Sequence, residues 1–156
     1  MAVAIRRAGV DDGPTIAALR RAWVEENAGG RVEDDSFEDA FRDWFDREGH
    51  RRVMWLAEVD DSAVGMINMM VFARMPRPGR VRSTWGYVAN VFVLAGHRDA
   101  GIGARLLDAC TSYADDHGFV RLVLSPSERS VPLYERFGFS PATSLLLRPG
   151  PDRADD

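Results

Sequence analysis

Six consecutive residues, Arg98-Asp99-Ala100-Gly101-Ile102-Gly103, combine a cation and two glycines at the entrance to an amphipathic stretch. The run before them, residues 87–94 (Tyr-Val-Ala-Asn-Val-Phe-Val-Leu), is rich in β-branched and aromatic residues and reads as a strand. After them, Ile102, Leu106, Cys110 and Tyr113 fall on one face of a helix expected over residues 102–117. Glycines in the first turn of a helix let the backbone come close to a ligand. The free N–H groups and the positive end of the dipole there suit a phosphate or pyrophosphate. Arg98 adds a cation beside them. The same six residues also suit a tight strand-to-helix turn without a ligand. The sequence has no Gly-x-x-x-x-Gly-Lys-Ser/Thr loop, and the turn lacks the Gly-x-Gly-x-x-Gly spacing, which argues against other nucleotide-binding α/β domains.

A second segment, Leu133-Tyr134-Glu135-Arg136-Phe137-Gly138-Phe139, follows at a distance. The pair resembles the GCN5-related N-acetyltransferases (GNAT). Their pattern is Gln/Arg-x-x-Gly-x-Gly/Ala after the fourth strand, then a late helix ending in Tyr-Glu-x-x-Gly-Phe. The gap between the two motifs also fits. The resemblance covers nearly the whole chain and is most specific over residues 87–139. It implies an α/β GNAT acyl-CoA N-acyltransferase fold with a mixed central sheet, splayed between strands 4 and 5. It implies acetyl-CoA as co-substrate and acetyl transfer to a primary amine of a small molecule or peptide, by direct attack in a ternary complex. The cofactor's pantetheine arm would pair with the backbone of Val91 and Val93, and its pyrophosphate would lie on Arg98, Asp99, Ala100, Gly101, Ile102, Gly103 and Ala104. The N–H near Val91 would also polarise the thioester carbonyl. Tyr134 matches the tyrosine that protonates the departing thiolate; a phenol with a pKa of ~10 suits that task. Many members dimerise, so a homodimer is expected, with Leu145-Leu146-Leu147 as one apolar run that could contribute.

The sequence departs from the family pattern at three places. Ser127 and Ser130 stand where many members carry Asn-x-x-Ala, and there they suit a helix cap. Tyr87, with Ala89 two residues on, stands where some members carry a glutamate or histidine base. Asn90 interrupts an apolar run and could orient a water or the amine, or be a hydrogen-bonded polar group of the strand. Other candidates for the base are Glu25, Glu26 and Glu58, or a water path to solvent, and no base is assigned. Glu26, Tyr87 and Asn90 are the candidate acceptor residues. Residues 25–35, Glu-Glu-Asn-Ala-Gly-Gly-Arg-Val-Glu-Asp-Asp, are acidic, which would favour a cationic amine or simply form a solvated loop. The missing carboxylate base keeps a second reading open, a catalytically silent acyl-CoA-binding or sensory domain of the same fold.

Period and punctuation outline the elements that must position these residues. A strand is expected over 3–7, and a helix to about residue 27 capped by Asp11 or Asp12, with Pro14 in its first turn. A second helix, opened by Asp34 or Ser36, runs to about 48 with Phe37, Phe41, Trp44 and Phe45 on one side. Strands 53–59 and 63–73 form a hairpin. Then come strand 84–94, helix 102–117, strand 119–124, helix 130–137 and a last strand or pair of strands within 139–147. The order is β-α-α-β-β-β-α-β-α-β, in one domain over residues 1–148 with a frayed tail at 149–156.

Composition agrees with a globular protein. Of the 156 residues, 46% are hydrophobic and 28% charged, enough for one domain with a sizeable core. A net charge of −4 with dispersed arginines does not suit nucleic acid. The single cysteine, Cys110, permits no intrachain disulfide and lies on an apolar helix face, which reads as packing. No apolar run approaches a membrane span, and the first residues lack the apolar core of a signal peptide, so a cytoplasmic setting is expected. His50, His97 and His117 show no metal-ligand spacing, and no metal is expected.

Overall fold

Two aspartates in the left-handed region, Asp60 (φ 50°) and Asp61 (φ 61°), reverse the chain between β2 (Arg52–Val59) and β3 (Ser62–Ala73). Such a pair forms the two-residue turn whose twist matches that of the flanking strands. The computed structural model describes residues 2–151. Its chain divides between Ser125 and Pro126 into two compact units.

The first unit is a five-stranded mixed sheet in the order β1-β2-β3-β4-β5. β1 (Val3–Arg7), β2, β3 and β4 (Thr84–Val93) pair antiparallel, and β5 (Leu122–Leu124) joins β4 in parallel. α1 (Gly13–Ala28) packs on one face, where Ile16 and Leu19 meet Met54, Leu56, Met66 and Phe92. α3 (Ile102–Asp116) covers the other: Tyr113 meets the Trp55 ring edge-on at 5.5 Å, and Cys110 lies 3.8 Å from the Met69 sulfur. Layers on both sides explain why residues 64–69 are buried without alternation. α2 (Phe37–Glu48) lies against α1 and carries the expected aromatic side, with Phe41 against Phe37, Trp44 and Phe45.

Asp12 stands at the N-cap of α1, yet its carboxylate bonds no N–H of the helix. It accepts from the Gly9 N–H (2.6 Å) and from both terminal nitrogens of Arg6 (2.9 and 2.8 Å), so a nearby guanidinium outcompetes the expected cap. Those bonds hold the Asp12 carboxyl below the usual range.

The second unit holds a turn at Glu128–Ser130, α4 (Val131–Arg136) and Gly138 in the left-handed region that ends it. Neither Ser127 nor Ser130 caps through its side chain; their hydroxyls bond each other at 2.9 Å. Residues 139–151 form no strand, where one was expected within 139–147. Pro141 lacks an N–H for a ladder, and the leucine run has no alternation that would bury one side: Leu146 and Leu147 are 101% and 89% exposed. Of the expected tail, residues 152–156 lie outside the described residues, as does Met1.

Candidate active site

The central strand of the site is β4, and two features of it open an edge. β5 accompanies β4 only over Gly86, Tyr87 and Val88 and ends at Leu124, while β4 runs on to Val93. At the paired end the Leu122 and Met69 side chains pack over Gly86, where a Cβ would lie 2.8 Å from each. Beyond it, Asn90 takes φ 53°. The β3–β4 register passes from Asn68↔Ala89 to Met66↔Phe92, so Ile67 alone faces Asn90 and Val91. This is a β-bulge, in which one extra residue bends the strand. Asparagine tolerates the left-handed region better than other branched or bulky residues.

The bulge also sets which groups face the open edge. The Leu94 N–H donates to the Val64 carbonyl of β3 at 2.8 Å. By strand parity the N–H groups of Val91 and Val93 then point away from β3, toward the edge that β5 has left. Both valines are half-buried. An extended amide-bearing ligand could add to this edge as a strand does.

At the end of β4 the chain makes the glycine turn. Asp99 (φ 60°) and Gly101 (φ 77°) are both left-handed, and Gly101 is the N-cap of α3. Residues 98–101 are exposed, and a Cβ on Gly101 would meet nothing within 4 Å. The first backbone bond of the helix runs from the Arg105 N–H to the Gly101 carbonyl at 3.1 Å. The N–H groups of Ile102, Gly103 and Ala104 therefore have no partner within the helix. Such a turn fits an anion.

The Arg98 side chain points elsewhere. Its guanidinium donates to both Glu26 oxygens at 2.5 and 2.8 Å and to the Val93 carbonyl at 2.9 Å, which ties the end of α1 to the end of β4. Arg98 in turn lowers the pKa of Glu26. The other carboxylates considered as bases are also paired, Glu25 with Arg21 (3.4 Å) and Glu58 with Arg6 (2.8 Å). Arg21 further bonds Glu38 (3.0 Å) and the carbonyls of Val32 and Asp34 (2.8 and 3.0 Å). Within residues 25–35, Glu25, Glu26 and Glu33 thus pair with arginines, while Asp34 bonds Ser36. The Arg21–Glu25 pair has i,i+4 helical spacing, but nothing in the sequence marks the partners Glu26 of Arg98, Glu58 of Arg6 or Glu38 of Arg21.

Tyr87 lies where β5 separates from β4, and its hydroxyl donates to Ser125 Oγ at 3.1 Å. The Asn90 side chain accepts from Asn68 Nδ2 at 3.1 Å. Both asparagines line a cavity of about 250 Å³ with Ile16, Arg20, Phe37, Phe41, Trp44, Met54 and Met66. Composition reasoning missed Asn68 and Arg20; a lone polar residue within the apolar run of β3 was the available signal. In the second unit, Tyr134 meets Phe139 edge-on at 5.8 Å, and burial pushes its phenol pKa up against a smaller opposing effect of Ser130. Burial likewise pushes the Cys110 thiol to about 12, which leaves it inert packing. Among the described residues no group of three or more His, Cys, Asp or Glu could hold a metal.

A splayed mixed sheet, a bulged fourth strand and a glycine turn into the next helix define an acetyltransferase fold. The chain belongs to the Acetyltransferase (GNAT) family, whose model matches residues 16–139. Among its relatives is the glucosamine 6-phosphate N-acetyltransferase of Trypanosoma brucei brucei, 32% identical over 76 residues, 49% of this chain and 50% of that protein. The match thus spans about half the length of that relative. A solved GCN5-related N-acetyltransferase from Ralstonia eutropha JMP134 is 26% identical with a TM-score of 0.70, covering 94% of this chain and 98% of the other. A protein from Clostridium acetobutylicum described as a predicted acetyltransferase, solved with acetyl-CoA, has a TM-score of 0.74 at 19% identity, covering 95% and 96%.

Proposed function

We propose that the protein is an N-acetyltransferase that moves the acetyl group of acetyl-CoA to a primary amine of a small molecule or peptide. The open edge of β4 carries this reading: the bulge at Asn90 and the early end of β5 free the Val91 and Val93 N–H groups beside the glycine turn. Acetyl-CoA lies with its pantetheine amides on Val91 and Val93. Its pyrophosphate rests on the N–H groups of Ile102, Gly103 and Ala104, in a turn formed by Arg98, Asp99, Ala100 and Gly101. Arg98 serves by holding that turn to Glu26 rather than by touching phosphate.

The neutral amine attacks the thioester carbonyl carbon, and the Val91 N–H stabilises the resulting oxyanion. Collapse breaks the C–S bond and the thiolate takes a proton from Tyr134, whose phenolate then regains one from water. Its raised phenol pKa keeps that proton in place at neutral pH. The amine's own proton leaves to water, since Glu25, Glu26 and Glu58 are engaged by arginines. Residues 1–148 act as one functional domain in a cytoplasmic setting. The relative's named substrate, a phosphorylated amino sugar, belongs in the acceptor panel.

The test is thiol release from acetyl-CoA with amines, aminoglycosides, polyamines, amino acids, peptides and glucosamine 6-phosphate. Tyr134→Phe removes the proton donor and keeps the ring. Turnover should fall ~100- to 10,000-fold with acetyl-CoA affinity little changed. Wild-type turnover in that variant, where chemistry limits the rate, removes Tyr134 from the mechanism. The paired carboxylates favour one other reading, a silent acyl-CoA-binding domain, which binds CoA by calorimetry yet releases no thiol with any amine.

A further inference from the structure

The cavity beside the bulge has an unusual lining for a pocket that takes amines. Six of its nine residues are apolar, three of them aromatic (Phe37, Phe41, Trp44), and none is acidic. Its one charged residue is Arg20, half-buried, with the guanidinium 5.2 Å above the Trp23 ring. Among the described residues Arg20 forms no ion pair. A second cation stands behind the floor. Arg52 lies 4.9 Å from the Trp44 ring and donates to Asn68 Oδ1 at 3.4 Å, while its Nε is buried without a partner. No carboxylate lies within 4 Å of it among the described residues, and Glu48 is the acid that acts on it from farther away. Of the acids nearby, Glu25 of the α1–α2 link and Glu38 of α2 pair with Arg21, Glu26 with Arg98 and Glu33 with Arg31, while Asp34 accepts from Ser36.

We propose that this cavity is the acceptor subsite and that it takes an aromatic or large apolar amine bearing a carboxylate, an amino-acid-like monoanion, in place of a polycation. The proposal rests on the acetyltransferase reading above and names its acceptor class. Phe37, Phe41 and Trp44 hold the apolar body. Arg20, which has a planar fork of donors and no acid of its own, takes the carboxylate. The side-chain amides of Asn68 and Asn90 face the remaining polar edge, next to the β4 bulge where the thioester would lie. The Arg20 guanidinium, more than Arg52 with Glu48 near it, also disfavours the charged ammonium relative to the free amine. That bias supplies neutral nucleophile in a cavity lined by no carboxylate. A polyamine or aminoglycoside would bring several positive charges into a lining that offers none of the opposite sign.

The test compares L-phenylalanine, 2-phenylethylamine, which lacks only the carboxylate, and spermidine. Thiol release is measured, together with calorimetric binding of each amine to the CoA-loaded protein. The carboxylate should raise kcat/KM and affinity about 10- to 100-fold over 2-phenylethylamine, the range of a charge-assisted bond. Arg20→Gln should collapse that ratio toward one, and Arg20→Lys should restore part of it, with circular dichroism confirming that both fold. Preference for spermidine, equal use of the two phenyl amines, or a ratio unchanged in Arg20→Gln overturns the proposal. If no amine is acetylated, binding decides. Arg20-dependent binding of phenylalanine supports the subsite while the transfer reading fails alone, and absence of such binding overturns the subsite as well.

Discussion

Asn90 concentrates several demands on one side chain. It adopts φ 53°, it is the extra residue of the β4 bulge, and it accepts from Asn68 at 3.1 Å. The left-handed region costs an ordinary L-residue ~1–2 kcal/mol, and a β-branched residue more. Asn90→Gly loses the Asn68 bond and keeps the backbone, whereas Asn90→Val loses both. Thermal unfolding should therefore place the valine variant about 2–8 °C below the glycine variant. Acetyl-CoA affinity should fall further with valine, because the bulge aims the Val91 N–H. Equal melting temperatures would mean that the bulge carries no strain relieved by asparagine. An asparagine in an apolar strand was visible in the sequence; that it sits at a bulge was not, because a bulge is defined by the partner strand.

At the scale of elements, the fork between β4 and β5 and the N-terminus of α3 make the cofactor edge. Gly101 at φ 77° is a poor place to test it, since any side chain there is strained whatever binds. Gly103 lies within the first turn of α3 and avoids that ambiguity. Gly103→Glu puts a carboxylate where the pyrophosphate is proposed to rest, and alanine at the same site is favoured in a helix by ~1 kcal/mol. Titration calorimetry should show CoA affinity at least about 10-fold weaker in the glutamate variant. The alanine variant should melt no lower than the wild type. Undiminished affinity in Gly103→Glu would move the pyrophosphate off this turn. The helix and the strand before it were readable from periodicity. The fork was expected only from the resemblance, since nothing in residues 119–124 says that β5 ends three residues after it pairs.

For the whole molecule, the exposed leucines matter most. Leu145, Leu146 and Leu147 are 40%, 101% and 89% exposed, and residues 139–151 form no strand among the described residues. Apolar groups left in water favour association. We propose a homodimer that uses this run, with light scattering giving twice the 17.4 kDa of one chain at micromolar concentration. Leu146→Glu should return the mass toward one chain with the far-UV circular dichroism unchanged, because within a single chain that side chain is fully in solvent. A wild-type monomer across the concentration series would refute the dimer.

The amino-acid sequence by itself determined what depends on neighbours along the chain. The Asp60-Asp61 turn, the aromatic side of α2, the apolar face of α3 and the glycine turn each follow from residue type and spacing within about a dozen positions. The family motifs lie in the same local signals. Only the tertiary structure decided where the charges go. Arg98 looked like a phosphate ligand and meets Glu26, 72 residues away; Arg21 reaches Glu38 of α2 and the Val32 carbonyl. The cavity beside Asn90 consequently presents Arg20 and no acid. A charge acts over space and not along the chain, so its partner, and with it the sign of the pocket, exists only once distant segments are packed.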